Sequence, residues 1–237
     1  MQLNPKPKRL SPLHSQHQTL EARFDLRGGW LVPEEYVTSA EENAALQGSV
    51  GLVDISARGK LMLKGTEAGT IVFAFLGEAP TKPGDVIYIK SNHIVVAELT
   101  PDEFLILTPP GTEEEIANTL KAESASQDSF VSIIDQTSGL VGLSISGPRS
   151  TSVMKKLCAI SFNSKDFPDL CVAQSSFANV RTTIIRYDRD VTPTFELFAD
   201  RSYGDYLWDT IQDAGMEFGI QPVGWEAMGR SSRYNKD

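Results

Sequence analysis

The chain predicts an α+β fold made of two copies of one β-β-α-β-β-β-α unit, and three observations predict it. Landmark residues recur at nearly constant spacing: Asp54 and Asp135 lie 81 residues apart, Gly65 and Gly147 82. Short apolar runs bounded by Gly, Pro and Asn read as strands, while segments with a 3.6-residue apolar period read as helices. The two kinds follow one another in mixed order, without the strict βαβ alternation of a doubly wound sheet. Two copies at this spacing are too few and too long for a solenoid, so a duplication giving two interlocked subdomains is the simpler account.

Residues 1–22 are polar and proline-bearing and are expected to form a flexible N-terminal arm, with His14 and His17 as solvated residues of it. The domain proper is expected over 23–228, with halves at about 50–125 and 130–217, and residues 229–237 as a C-terminal tail. Ser39 followed by Glu42 has the spacing of a capping box and opens a helix through Leu46. Val50–Ile55 and Lys60–Lys64 read as strands around the Arg58-Gly59 turn. Gly65-Thr66 begins a helix with Ile71, Val72 and Phe75 on one face. Strands follow at Val86–Lys90, Ile94–Leu99 and Phe104–Leu107, and Thr112 with Glu115 suggests a second capping box before a helix through Leu120. Glu123–Ser129 reads as a polar connector.

The pattern then restarts. Ile134-Asp135 leads into a strand over Val141–Ser146, and Gly147-Pro148 opens a helix that turns Val153, Met154 and Leu157 inward. Strands are expected at Cys171–Ser175, Val180–Arg186 and Thr194–Phe198, before a closing helix marked by Tyr203, Leu207 and Ile211.

Composition narrows the function classes. The 237 residues carry a net charge of −9, and the basic residues are scattered, which disfavours a nucleic-acid backbone as partner. No apolar run approaches the ~20 residues of a membrane helix, and the first twenty residues lack the apolar core of a signal peptide. A cytoplasmic location and reduced Cys158 and Cys171 are therefore expected. Ready-made catalytic motifs are missing: there is no G-x-S-x-G, P-loop, G-x-G-x-x-G or metal-binding spacing. His93, in Ser91-Asn92-His93, reads as a solvated residue at a hairpin tip. Cys158 reads as core packing, and the Glu113-Glu114-Glu115 run as acids placed at a helix N-terminus for the macrodipole.

A series of segments, in order, resembles the folate-binding domain of the glycine cleavage T-protein family. They are Gly28-Gly29-Trp30-Leu31-Val32-Pro33, Gly51-Leu52-Val53-Asp54-Ile55-Ser56, Lys82-Pro83-Gly84, Ile145-Ser146-Gly147-Pro148-Arg149 and Ile220-Gln221-Pro222-Val223-Gly224. In the second half, Asp166-Phe167-Pro168, Thr192-Pro193-Thr194-Phe195-Glu196-Leu197 and Arg201-Ser202-Tyr203 are similar to the γ subunit of heterotetrameric sarcosine oxidase. The resemblance implies the duplicated fold, a tetrahydrofolate ligand, and a following barrel-like domain for which the chain has no counterpart. It also places Arg58, Tyr88, Arg186 and Trp225 on the wall of a channel between the halves, where an arginine would hold a glutamate tail.

The departures shape the functional expectation. At the positions of the family's two folate-binding carboxylates the chain has the hairpin Asn92-His93-Ile94-Val95-Val96-Ala97 and Thr192. Charge-assisted bonds of that kind contribute ~1.5–3 kcal/mol each. The resemblance therefore implies a non-catalytic accessory subunit that works with flavoprotein subunits, or, as the alternative, a divergent tetrahydrofolate-dependent aminomethyltransferase. The stand-alone folate-binding proteins that support iron–sulfur enzymes carry K-G-C-Y-x-G-Q-E, which this chain lacks.

Overall fold

The computed structural model describes residues 9–189 and 191–229. An N-terminal layer comprises β1 (Arg9–Leu10), α1 (His14–Thr19), β2 (Arg23–Arg27), β3 (Trp30–Glu35) and α2 (Ser39–Gly48). The first half follows as β4 (Val50–Asp54), β5 (Gly59–Lys64), α3 (Ala68–Leu76), β6 (Val86–Ile89), β7 (Ile94–Thr100), β8 (Glu103–Thr108) and α4 (Glu113–Ser126). The second half repeats the order with β9 (Ser132–Asp135), β10 (Leu140–Ser146), α5 (Ser150–Leu157), β11 (Cys171–Phe177), β12 (Val180–Arg186), β13 (Thr194–Asp200) and α6 (Gly204–Gly215). Then come β14 (Ile220–Pro222) and α7 (Trp225–Gly229). Both halves are β-β-α-β-β-β-α, as the spacing predicts.

The halves interlock by exchanging their first strands. The six-stranded sheet runs β11-β12-β13-β10-β4-β14, and the five-stranded sheet runs β6-β7-β8-β5-β9. β4 thus belongs in sequence to the first half but pairs with β10, and β9 pairs with β5. The crossing is made twice in the same way. Asp54 Oδ1 accepts from Ser56 N at 2.8 Å, and Asp135 Oδ1 accepts from Thr137 N at 2.8 Å. Ser56 Oγ then accepts from Gly142 N, while Thr137 Oγ1 accepts from Lys60 N. Gly65 (φ 148°) and Gly147 (φ 133°) sit where a Cβ would lie 2.5 Å from Phe130 O and 2.4 Å from Ser49 O, so both need glycine. Neither half completes a sheet without the other's strand.

Alternate residues of the strands feed different cores. Val53, Ile55, Val95, Leu105, Ile185 and Phe198 form a central core between the two sheets. Leu52, Ile145, Ile184, Leu197 and Trp208 pack against the α5–α6 side, and Leu61, Ile71, Val96, Ile106 and Leu120 against the α3–α4 side. Both faces of each sheet are therefore buried, in an α-β-β-α order of layers.

Several local expectations are corrected. From Arg9 onward the N-terminal segment is no flexible arm. β1 adds in parallel to β3, Leu13 is buried in the core, and His17 is fully buried rather than solvated. The expectation for residues 1–8, and for the tail over 230–237, lies outside the described residues. The first capping box is built one position earlier, by Thr38 and Glu41. Glu42 instead reaches inward, accepting from Tyr36 N at 2.6 Å and Gly224 N at 2.9 Å. Thr112 makes no side-chain cap, since its hydroxyl donates to Pro109 O. α4 continues to Ser126, into the first half of the expected connector. Tyr203 is exposed, so the inward face of α6 is Leu207, Trp208 and Ile211.

Candidate functional site

A cavity of about 430 Å³ opens between the β2–β3 hairpin, the loop after β4, the β6–β7 tip and α7; its wall includes Arg27, Arg58, His93, Pro110, Trp225 and Met228. Each wall is held by an identifiable local cause. The hairpin turns at Gly28 and Gly29, with φ of 54° and 83°, the positive values that a tight two-residue turn demands. Its tip lies against Pro110, where a Cβ on Gly28 would come within 2.1 Å of the carbonyl oxygen. Gly224 lets the chain pass over Glu34, where a Cβ would lie 2.0 Å from the carbonyl oxygen, and so delivers Trp225 to the cavity. The indole Nε1 then donates to Asp54 O at 2.8 Å, which fixes the ring.

Both arginines on the wall are charged and neutralised from behind. Arg58 donates from Nη1 to Glu196 Oε2 at 2.6 Å, and Glu196 is fully buried on β13. Arg27 donates from Nε to Glu34 Oε2 at 3.0 Å, and its guanidinium carbon lies 5.8 Å from the Trp225 ring centre. Fork-like pairing with a carboxylate suits arginine and holds the guanidinium plane. The loop carrying Arg58 is clamped by Lys60, whose buried Nζ donates to Ser56 O, Arg58 O and Thr137 O at 2.8–2.9 Å. Burial pulls the Lys60 pKa down to about 7, against the pull of Asp54 and Asp135.

Behind Trp225 a polar cluster ties the N-terminal segment to the core. Asp54 Oδ2 takes the hydroxyl of Ser11 and His17 Nε2, the latter at 2.8 Å, and His17 Nδ1 meets the Tyr36 hydroxyl at 2.8 Å. The His17 ring lies edge-on to Trp208 at 5.1 Å. Burial alone would raise the Asp54 carboxyl, but the hydrogen bond and charge of His17, with Ser11 and Ser56, bring it below its ordinary value. A second tie runs from Arg9 to the buried Glu113 at the start of α4. That acid therefore serves an ion pair as well as the helix N-terminus.

Of the four residues singled out by resemblance, the structure brings Arg58 and Trp225 together on this wall. Tyr88 stands one residue back. Its hydroxyl is 2.8 Å from His93 Nδ1, and its ring meets Tyr187 edge-on at 5.1 Å. Arg186 is not on the wall. It grips Asp188 with Nε and Nη2, at 2.8–3.2 Å, and donates from Nη1 to Phe167 O at 2.6 Å. His93, expected in solvent, is half-buried at the cavity, with φ 54° at the hairpin tip. Arg27 was missed, though its place beside the Gly28-Gly29 turn was the available signal.

The cavity lining is dominated by apolar and cationic side chains. Asp25 is the one carboxylate among its lining residues, and it is exposed, with Oδ1 accepting from Leu26 N. Both cysteines are free and lie elsewhere. Cys158 is buried, and burial together with Asp85 raises the Cys171 thiol away from its reactive form. No cluster of metal-ligating side chains occurs among the described residues, and none of their helices is long and apolar enough to cross a membrane.

Comparison with known proteins adds to this geometry. The profile of the GCVT N-terminal domain matches residues 13–236. The chain is 24% identical to an aminomethyltransferase of Corynebacterium aurimucosum, over 92% of this chain and 61% of that protein. It is 26% identical to the aminomethyltransferase of Thermotoga maritima, over 90% of this chain and 60% of that one. It thus spans about 60% of the length of these relatives. Among solved structures, glycine cleavage system aminomethyltransferase T from Bartonella henselae superposes with a TM-score of 0.76 at 16% identity, covering 92% of this chain and 60% of that one. A chain of the heterotetrameric sarcosine oxidase from Corynebacterium sp. U-96 superposes with a TM-score of 0.68 at 20% identity, covering 91% and 98%. At these identities the structural likeness shows the fold.

Proposed function

From the premise that the chain belongs to the GCVT N-terminal domain family, we propose that it is a non-catalytic accessory subunit whose cavity receives a folate-type ligand. One observation carries the reading: an indole and two guanidinium groups, Arg27 and Arg58, face a single cavity. Trp225 and Arg58 line the cavity while largely buried; a flat ring is offered an aromatic wall, and an anionic tail two cations already oriented by Glu34 and Glu196. A folate joins a flat heteroaromatic ring to a glutamate, so the residues present fit it. Tyr88 enters this reading by orienting His93. Arg186, committed to Asp188, has no role in it.

Aminomethyl transfer requires a group that positions or deprotonates the amine carrier. Exposed Asp25 at the rim is poorly placed to keep a proton-transfer site dry. The similarity to aminomethyltransferases favours the enzymatic alternative, and one assay separates the two. Incubated with tetrahydrofolate and an aminomethyl-lipoyl carrier, the chain is expected to release no ammonia; tetrahydrofolate-dependent release would establish the transferase.

Ligand binding is tested separately. Folinic acid is expected to quench tryptophan emission saturably, and Trp225→Phe to remove most of that change while Trp30 and Trp208 remain. No saturable response at millimolar folinic acid would rule the cavity out as a folate site. The likeness to a chain of a heterotetrameric sarcosine oxidase, which covers nearly the whole of that chain, supports work within a hetero-oligomer; flavoprotein subunits are the partners this reading takes.

A further inference from the structure

Because the two halves are built alike, each is an internal control for the other. The six-stranded sheet is closed at one edge by β14, parallel to β4, with Ile220 opposite Val50 and Pro222 opposite Leu52. Val223 N continues that contact by donating to Leu52 O at 2.9 Å. In the five-stranded sheet β9 holds the place of β4, yet among the described residues no strand pairs with its outer edge. Gln136 N donates to Lys60 O, as Ile55 N does to Gly142 O, both at 2.8 Å. Backbone groups alternate in direction along an antiparallel strand. Those of Val131 and Ile133 therefore point outward, as those of Val50 and Leu52 point toward β14.

Exposed side chains of this half differ from their counterparts in the other half in one sense. Phe130, whose carbonyl lies against Gly65, stands where Ser49 lies against Gly147. Phe130 is 96% exposed. Phe73, 58% exposed, occupies on α3 the place that Lys155 occupies on α5. Ile134 on β9 is also exposed. The fold does not require Phe130 and Phe73 at the surface, since its other half carries Ser49 and Lys155 there; Ile134, by contrast, has the buried Val53 as its counterpart. Open edges are ordinarily blunted by charge, proline or a covering segment, and exposed apolar groups beside such an edge, here Phe130 and Ile134, mark a contact surface. The rim is acidic. Glu67 accepts from Phe130 N at 3.1 Å, Asp128 lies two residues before Phe130, and exposed Asp135 ends β9. The nearby Lys64 is paired with Glu103.

We propose that the outer edge of β9, with Phe130 beside it, docks an extended segment of a partner protein, apolar along its strand and basic at its flanks. The segment adds in parallel to β9 as β14 adds to β4, the main-chain mode of β-strand addition. A second copy of this chain is a poor occupant, because symmetric pairing brings the same acids face to face. The proposal takes up the accessory-subunit reading and names the surface that reading requires; it does not depend on what the cavity holds.

The probe is a synthetic peptide with the sequence of Phe218–Val223, the molecule's own edge-covering strand, flanked at both ends by lysines. Hydrogen exchange on the full chain should slow within Val131–Asp135 when the peptide is added. Binding, followed by anisotropy, should weaken about tenfold, or ~1.4 kcal/mol, for Phe130→Ser and for a glutamate-flanked peptide. Folinic acid titration of Phe130→Ser should match the parent chain. Exchange unchanged at saturating peptide, slowing confined to another segment, or indifference to the flanking charge overturns the proposal. So does concentration-dependent protection of β9 in the chain alone, which would assign the edge to a second copy. Failure here with an intact folinic acid response removes the docking surface and leaves the cavity reading; the opposite pair of results does the reverse.

Discussion

Replacing Arg58 with methionine is expected to lower stability by about 3–5 kcal/mol, the range for breaking a buried ion pair from one side. Glu196 is fully buried, and the variant takes away the guanidinium 2.6 Å from its carboxylate. The loss should fall mainly on burial of a charge without this partner, so the double variant Arg58→Met, Glu196→Gln should recover much of it. Urea denaturation of the parent, single and double variants measures this as a coupling energy. The double variant should fold but bind folinic acid more weakly, because one of the two cations, Arg58, is gone while Arg27 and the cavity remain. A single-variant loss below about 1 kcal/mol, the range of a solvated pair, would show that the pair is open to water and not a fixed wall.

Asp54→Asn is the second large effect. The carboxylate is buried and gathers Ser11, His17 and Ser56 N, and hydrogen bonds to a charged group contribute about 1.5–3 kcal/mol each. A loss of about 3 kcal/mol at pH 7 is expected, allowing for the bonds the amide retains. The sign of the pH dependence follows from the lowered pKa of Asp54 in the folded state. Its contribution is present above the ordinary carboxyl range and is lost as pH falls through the folded value. The parent and Asp54→Asn curves should therefore converge in acid and separate toward neutrality. The same variant should speed hydrogen exchange over residues 9–20, since β1 and α1 are tied down through this group. A gap between the curves that is independent of pH would mean that the ionised form of Asp54 is not what holds the segment.

The order β-β-α-β-β-β-α, its duplication and most element positions were legible in the sequence, because they rest on local signals. The short continuous apolar runs of β7 and β8, the helical period of α3 and α5, and the paired Asp54/Asp135 and Gly65/Gly147 all act within a few residues of chain. Trp225 and Arg58 were reached through resemblance, and the structure places both at one cavity. What stayed hidden depends on contacts between residues far apart. His17 reads as a tail histidine until Asp54, Tyr36 and Trp208 surround it. Glu42 reads as a capping acid until Gly224 arrives beside it. Arg186 looked available for a ligand, and only the tertiary fold commits it to Asp188 and Phe167. The duplication pointed to interlocked halves, but not to β4 and β9 as the strands exchanged. A strand's apolar pattern says which of its faces are buried, but not which of two equivalent sheets supplies its hydrogen-bonding neighbour. That choice fell to the turns after Asp54 and Asp135, which carry the chain across from one sheet to the other.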